Sequence, residues 1–280
     1  MRARHDGKVA IVTGASSGIG YATALAMADA GMDLLISARR AERLESLAGA
    51  IRARGRRAGI VVADAAEGGL AVRLLDEAER LFGRFDIVFA NAGYGLERPI
   101  HEMTDAQLRT MFEVNFFAAT DLLRHAAQRL IAQKRGGHLL MTSSCLSKFS
   151  MPDFGAYAAT KAAQESICRA MRFELAPHGI EVASVHPIST TTEFFEQSAT
   201  RSGTEPAPIH EHAPAWLIQS PERVARAVLR CIDRPRSEVW TSRIVQASSA
   251  LFTLCPWILD AVLRREARRQ RRRARARCTA

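Results

Sequence analysis

The chain has 280 residues, 48% hydrophobic and 24% charged, so it is long enough to bury a substantial core and too apolar to be disordered throughout. Its formal charge of +10 sits mostly at one end: residues 264–280 hold nine arginines and one glutamate, which is +8 of the total and leaves +2 for everything before. A near-neutral body excludes a broad nucleic-acid or anionic-lipid surface and confines any such contact to the tail.

The opening stretch carries two arginines ahead of an apolar run of only a few residues that ends in turn formers, unlike a signal peptide. Strands are expected at 8–13, 32–37, 59–63, 85–90, 138–143, 180–186 and 238–242, where short runs of Val, Ile and Leu recur. Helical periodicity falls between them, near 21–30, 41–54, 70–82, 105–133, 157–177 and 221–232. Strand followed by helix, repeated, predicts right-handed crossovers and a parallel sheet covered on both faces, an α/β doubly wound fold. No repeat or linker divides residues 1–245, which are expected to form one domain; 246–280 would be a separate extension. Residues 196–214 are polar, proline-bearing and aperiodic, and are expected to form a mobile loop over a site or a plain surface loop. The His-Glu-His within that stretch lacks a partner at ligand spacing, so no metal is expected. Cys145, Cys168, Cys231, Cys255 and Cys278 are scattered and odd in number, as reduced thiols of a cytoplasmic protein would be.

Thr13 to Gly20 reads TGASSGIG directly after the first strand and opens a helical pattern. There Gly14, Gly18 and Gly20, with Ser16, Ser17 and Ile19 between them, let the backbone turn tightly against a pyrophosphate facing the N–H groups of the next helix. This turn, Asn91-Ala92-Gly93 after the fourth strand, Asn115 in the long helix, Ser143-Ser144 after the fifth strand and Tyr157-Ala-Ala-Thr-Lys161 occur together in one order. In that order and separation, over about residues 7–241, the chain resembles the short-chain dehydrogenase/reductase family. The resemblance implies a Rossmann fold, a nicotinamide cofactor, hydride exchange with a carbonyl or secondary alcohol, and homo-oligomerisation through the long helices near Asn115 and Tyr157. It further implies that Asn91, Ala92, Gly93, Pro187 and Ile188 line the cofactor, that Asp64 contacts adenine, and that Thr192 contacts the carboxamide. Two positions depart from the family pattern: Ile188 stands where a glycine is usual, and Ala90 where an asparagine is common. Asp64 is equally accounted for as a helix N-cap.

The second strand ends Ala38-Arg39-Arg40, without the carboxylate that NAD-preferring enzymes usually place there, so NADP is favoured over NAD. Arg39 is the preferred 2′-phosphate ligand; Arg40 also fits as the start of the solvated face of the following helix.

Tyr157 and Lys161, four apart, share one helix face. A phenol with an ordinary pKa of about 10 is a poor acid–base group at neutral pH, and an adjacent ammonium is expected to lower it. Ser144, 13 residues before Tyr157, is the expected donor to the substrate oxygen, with Ser143 as runner-up because strand alternation admits one of the two. By the resemblance, Lys161 also holds the nicotinamide ribose and Asn115 a water that relays protons. His186 is expected to be a hydrogen-bonded core residue, and His101 to border the substrate loop without doing chemistry. A pocket built from loops 94–102 and 192–214 mildly favours a lipophilic substrate.

From residue 246 the chain is apolar, breaks at Pro256, continues as an amphipathic helix and turns arginine-rich. Such a helix either lies peripherally on a membrane with its guanidiniums on anionic headgroups or packs its apolar half on the body; the second is preferred. Without interleaved aromatics, the arginines offer no specific nucleic-acid readout. The competing function is a nucleotide-binding regulatory or membrane-scaffold protein on the same fold.

Overall fold

The computed structural model describes residues 4–203 and 213–265. Seven strands make one sheet: β1 (Val9–Thr13), β2 (Asp33–Ala38), β3 (Ala58–Val62), β4 (Ile87–Ala90), β5 (Gly137–Thr142), β6 (Ile180–His186) and β7 (Glu238–Trp240). Their order is β3-β2-β1-β4-β5-β6-β7, and every neighbouring pair is parallel. The winding reverses between β1 and β4, and a doubly wound sheet opens its crevice at the carboxyl ends of the strands flanking such a reversal.

Helices cover both faces, which is why the strands are apolar on both. On one face α1 (Gly18–Asp29), α2 (Ala41–Arg52) and α8 (Pro221–Asp233) bring Met27, Leu44, Leu47 and Val228 onto Val12, Ile36 and Phe89. On the other, α3 (Leu70–Phe82), α5 (Ala118–Ala132) and α6 (Gly155–Leu175) bring Leu74, Leu123 and Cys168 onto Ile11, Val88 and Met141. The alternation is visible within β1 alone, where Ala10 and Val12 join the first cluster and Val9 and Ile11 the second.

All seven expected strands form. The helix expected over 105–133 is in three pieces: α4 (Asp105–Phe112), a π turn over Glu113–Phe117, and α5. Thr104 and Gln107 start it with a reciprocal capping box. The π turn releases the Asn115 carbonyl from the helical ladder, and Gln164 Nε2 donates to it. Residues 194–202, most of which were expected to belong to a loop, form α7 (Phe194–Ser202), closed by Gly203 at φ +70°. Its buried face is Ser198, Ala199 and Ser202, too small and polar to register as an apolar stripe. Ser202 Oγ anchors it, accepting from Glu97 N at 2.9 Å and donating to the Ser198 carbonyl at 2.8 Å. The His-Glu-His of residues 210–212 lies outside the described residues.

Beyond β7 come α9 (Arg243–Leu254), which the sequence did not announce, and α10 (Pro256–Arg265), bent by 107° at the break expected beside Pro256. No single described helix is long and apolar enough to cross a membrane. Cys145, Cys168, Cys231 and Cys255 are free thiols.

Candidate active site

The turn from β1 to α1 is built on close backbone approach. Gly18 has φ +55°, and a Cβ there would lie 2.8 Å from Thr192 Cγ2; at Gly20 it would lie 2.4 Å from the Gly14 carbonyl oxygen and 2.6 Å from Asn91 Nδ2. Ser17 precedes the helix and Ile19 turns inward onto the core. The free N–H groups of the first turn of α1 and its positive dipole end form a cradle for an anion. Beside it opens a cavity of about 570 Å³ lined by Ser16, Ser17, Gly18, Arg43, Thr192 and Glu193. Because the atoms nearest Gly20 include backbone, Gly20→Ala is expected to shift the turn, cost about 1–3 kcal/mol of stability and abolish anion binding at the cradle. A thermal melt paired with a nucleotide titration checks both.

Asn91 and Ala92 lock this turn to its neighbours. Both backbone N–H groups donate to Thr13 Oγ1 at 3.0 and 3.1 Å, Asn91 Nδ2 donates to the Thr13 carbonyl at 3.2 Å, and Thr142 Oγ1 donates to Asn91 Oδ1 at 2.9 Å. The carboxyl ends of β1, β4 and β5 are thereby tied together.

At the end of β2 the two arginines are solvated the other way round from the expectation. Arg39 is 58% exposed and pairs with Asp64 at 3.6 Å. Arg40, expected as the more solvated, folds back over the glycine turn: its Nε and Nη2 donate to Ser16 Oγ at 3.2 and 3.1 Å, and its Nη1 pairs with Glu193 at 2.7 Å. It is the N-cap of α2, so its side chain leaves before the helix begins. Arg43 stands 3.8 Å from the same Glu193 carboxylate, whose pKa these partners lower against the opposing effect of burial. Asp64 is no N-cap: it accepts from Ala66 N at 3.0 Å in an Asx turn, and α3 starts only at Leu70.

The chemical residues converge where β5 meets α6. Ser143 is spent on structure, its buried hydroxyl donating to the Lys161 carbonyl at 3.0 Å. Ser144 faces the other way, hydrogen-bonded to Tyr157 while its Oγ accepts from Leu146 N at 3.1 Å to cap the turn Cys145–Ser147. Lys161 Nζ lies 5.4 Å from the Tyr157 ring centroid and donates to the Thr142 carbonyl at 2.7 Å. Asn115 is fully buried; its Oδ1 accepts from Tyr94 N at 2.9 Å and its Nδ2 donates to the Tyr94 carbonyl at 2.9 Å and to Thr160 Oγ1 at 3.2 Å. Gly93 is held between them: a Cβ there would sit 3.1 Å from Asn115 Oδ1 and 3.6 Å from Lys161 Nζ. Pro187 joins the same region through its carbonyl, which accepts from Cys145 N at 3.2 Å, and the Ile188 carbonyl accepts from Thr190 Oγ1 at 2.7 Å. Thr192 caps the entry to α7, accepting from Phe194 N at 3.3 Å.

Burial dominates the electrostatics. It raises the Tyr157 phenol well above its ordinary value, with the Ser144 hydrogen bond pulling the other way, and it lowers Lys161 to about 7. Burial thus drives each group toward its neutral form, and the phenol shifts in the direction opposite to the depression expected from Lys161. His186 is the expected core residue: fully buried, it is stacked 4.5 Å from Trp240 and bonded through Nε2 to Ser184 Oγ at 2.8 Å, and its Nδ1 contacts the Ser144 carbonyl at 3.0 Å. His101 is 82% exposed and stands beside Glu102.

Two contributors were not legible in the sequence. Phe194 packs on the Tyr157 ring at 5.5 Å and presses so close to Gly95 that a Cβ there would lie 2.6 Å from the Phe194 ring. Glu193 neutralises Arg40 beside the cradle. Only their adjacency to Thr192 could have flagged them. Around Tyr157 an apolar cluster forms from Leu96, Met111 and Ala156, flanked by Tyr94, Leu146, Phe154 and Phe194.

The family model described as short chain dehydrogenase matches residues 8–202. The chain belongs to the short-chain dehydrogenase family. Among curated relatives, an uncharacterized oxidoreductase of Listeria innocua is 32% identical, covering 81% of this chain and 91% of its own length. A solved short chain dehydrogenase/reductase of Burkholderia phymatum in complex with NAD superposes with TM-score 0.79 at 26% identity, covering 89% of this chain and 93% of that one. A short chain dehydrogenase of Burkholderia cenocepacia in complex with NADP does so with TM-score 0.74 at 28% identity, covering 85% and 97%. As a short-chain dehydrogenase the protein is an oxidoreductase with a Rossmann-like sheet.

Proposed function

We propose that this short-chain dehydrogenase uses NADP and acts on the carbonyl or secondary alcohol of a lipophilic substrate. The observation that carries the proposal is the convergence of Ser144, Tyr157 and Lys161 beside Gly93, at the strand ends that also hold the glycine turn. The backbone cradle suits the pyrophosphate of a dinucleotide: Gly14, Ser16, Ser17, Gly18, Ile19 and Gly20 would hold the pyrophosphate, Asp64 the adenine, and Asn91, Ala92 and Gly93 the middle of the molecule. Tyr157 and Lys161 would hold the nicotinamide ribose, and Pro187, Ile188 and Thr192 the carboxamide end. Bound there, the nicotinamide supplies or accepts the hydride. The chain moves the proton and steadies charge. Tyr157 donates its phenolic proton to the carbonyl oxygen or takes one from the alcohol, and Ser144 donates a hydrogen bond to that oxygen as negative charge develops. Lys161 recharges the phenol. The Asn115 carbonyl, with one lone pair occupied by Gln164, offers the second to a relay water. The apolar cluster around Tyr157 supports a lipophilic substrate. Phe117 and Phe173, exposed near and on the long helices, support homo-oligomerisation through α5 and α6.

The bound nucleotides of the two solved relatives differ, so the preference for NADP rests on Arg40 and its neighbour Arg39. Each charge-assisted hydrogen bond to a phosphate contributes about 1.5–3 kcal/mol, so Arg40→Ala is expected to weaken NADPH by about 10- to 100-fold and NADH little, whereas Arg39→Ala has the smaller effect. Glu193→Gln, which frees Arg40 from its carboxylate partner, is expected to tighten NADPH. Fluorescence titration with both nucleotides, followed by turnover on a panel of carbonyl compounds, tests the proposal. Equal affinity for both nucleotides removes the cofactor preference, and nucleotide binding without turnover on any carbonyl or alcohol favours the regulatory-protein alternative.

A further inference from the structure

The segment after β7 has no part in the proposed chemistry. One side of α9 is attached to the body: Ser249 is buried, and the Phe252 ring packs edge-on against Phe149 at 5.5 Å, next to the turn that follows Ser144. Several of the remaining apolar residues are uncovered. Leu251 is 45% exposed, Leu254 80%, Trp257 69% and Val262 51%, in succession across the bend between α9 and α10. Among the described residues these are four of the twelve exposed large hydrophobics, gathered within 12 residues of chain. The expectation that the apolar half packs on the body thus holds for Phe252, whereas these four residues stay exposed. Immediately beyond Val262 the sequence turns basic, with nine arginines against one glutamate over residues 264–280.

We propose that α9 and α10 form an interfacial anchor for an anionic lipid bilayer. Leu251, Leu254, Trp257 and Val262 enter the boundary between headgroups and acyl chains, and the arginine-rich sequence that follows binds lipid phosphates. Charge selects this occupant. A second copy of the chain would bring a like-charged arginine run to the same place, whereas an anionic surface complements it. A tryptophan amid exposed aliphatic residues suits the interface, where its amphipathic ring is at home. Neither helix alone is long and apolar enough to cross a bilayer, and the 107° bend interrupts the pair where a continuous span would run, which favours an interfacial position over a crossing one. Because α9 packs against the turn after Ser144, anchoring would hold the proposed active site close to the lipid surface.

The test uses the full chain, sedimented with phosphatidylcholine vesicles that contain or lack phosphatidylserine, at low and high salt. Binding to the anionic vesicles is expected to exceed binding to neutral ones by at least about tenfold and to weaken with salt. The double variant Leu254→Asp/Trp257→Asp, at exposed positions, is expected to lose about tenfold or more of that binding while keeping its thermal melt and nucleotide affinity. Failure to bind anionic vesicles overturns the proposal. So does undiminished binding by the double variant, which would leave the arginines acting alone. If the double variant instead sediments as a smaller oligomer and the wild type ignores vesicles, the apolar surface is a subunit contact and the anchor is refuted. None of these outcomes depends on the cofactor or substrate.

Discussion

Tyr157→Phe is expected to lower turnover by about 10²–10⁴-fold, the usual contribution of a positioned general acid or base, while nucleotide binding and the thermal melt stay largely intact. The substitution removes one oxygen from a ring that Phe154 and Phe194 hold at 6.4 and 5.5 Å between centroids, so the ring keeps its packing. It leaves Ser144 with Leu146 N as its bonded neighbour and removes the proton carrier. Burial holds the phenol above its ordinary value, so at neutral pH it is protonated. A protonated phenol is ready to donate, and carbonyl reduction should show no loss from Tyr157 as pH rises through neutrality. Alcohol oxidation needs the phenolate as base and should climb with pH by up to about tenfold per unit. Initial rates in both directions across a pH series, on wild type and variant, check this. A variant that retains wild-type turnover would remove Tyr157 from the chemistry.

Lys161→Met is expected to abolish turnover and at the same time stabilise the protein at low pH. The Lys161 side chain is almost wholly buried, and no carboxylate is paired with it among its hydrogen bonds, which run to the Thr142 carbonyl. Its folded pKa is near 7, below the unfolded value. Below pH 7 both states carry the proton and the folded one bears the full cost of burying it. Between pH 7 and the ordinary lysine range the unfolded chain holds a proton that the folded chain has released, so wild-type stability rises with pH across that window. Methionine fills similar volume without the charge. After the unsatisfied Thr142 carbonyl is subtracted, the gain should be about 1–3 kcal/mol at pH 6 and shrink toward pH 9. Thermal melts of both proteins at the two pH values measure it; a destabilised variant, or a difference independent of pH, would show that the ammonium is compensated in the fold. An enzyme that keeps such a group retains a local instability for function.

Much of this was legible from residues 8–241 read as a string. The strands announced themselves because a sheet covered on both faces needs runs rich in Val, Ile and Leu, and β1 through β6 have them within a residue or two. Tyr157 and Lys161 were legible because helical spacing fixes that two residues four apart share a face. The glycines were legible because small residues between a strand and a helix have few other uses, and the close approach of Gly20 to Gly14 is such a use.

What only the tertiary structure decided are matters of direction, which period and composition do not encode. Alternation said that one of Ser143 and Ser144 faces the site; the hydrogen bond from Ser143 to the Lys161 carbonyl decided which. Composition said that two arginines follow β2; the N-cap position of Arg40 turned it onto Ser16 and left Arg39 to Asp64. The π turn at Asn115 left the apolar spacing intact on either side, and α7 buries serines rather than leucines, so neither altered the pattern that announces a helix. Sequence alone determined which residue types lie near which strand end, since chain connectivity carries them there. Where each side chain points, and that burial raises the Tyr157 phenol, follows from contacts between segments far apart in the chain, and those exist only once it has folded.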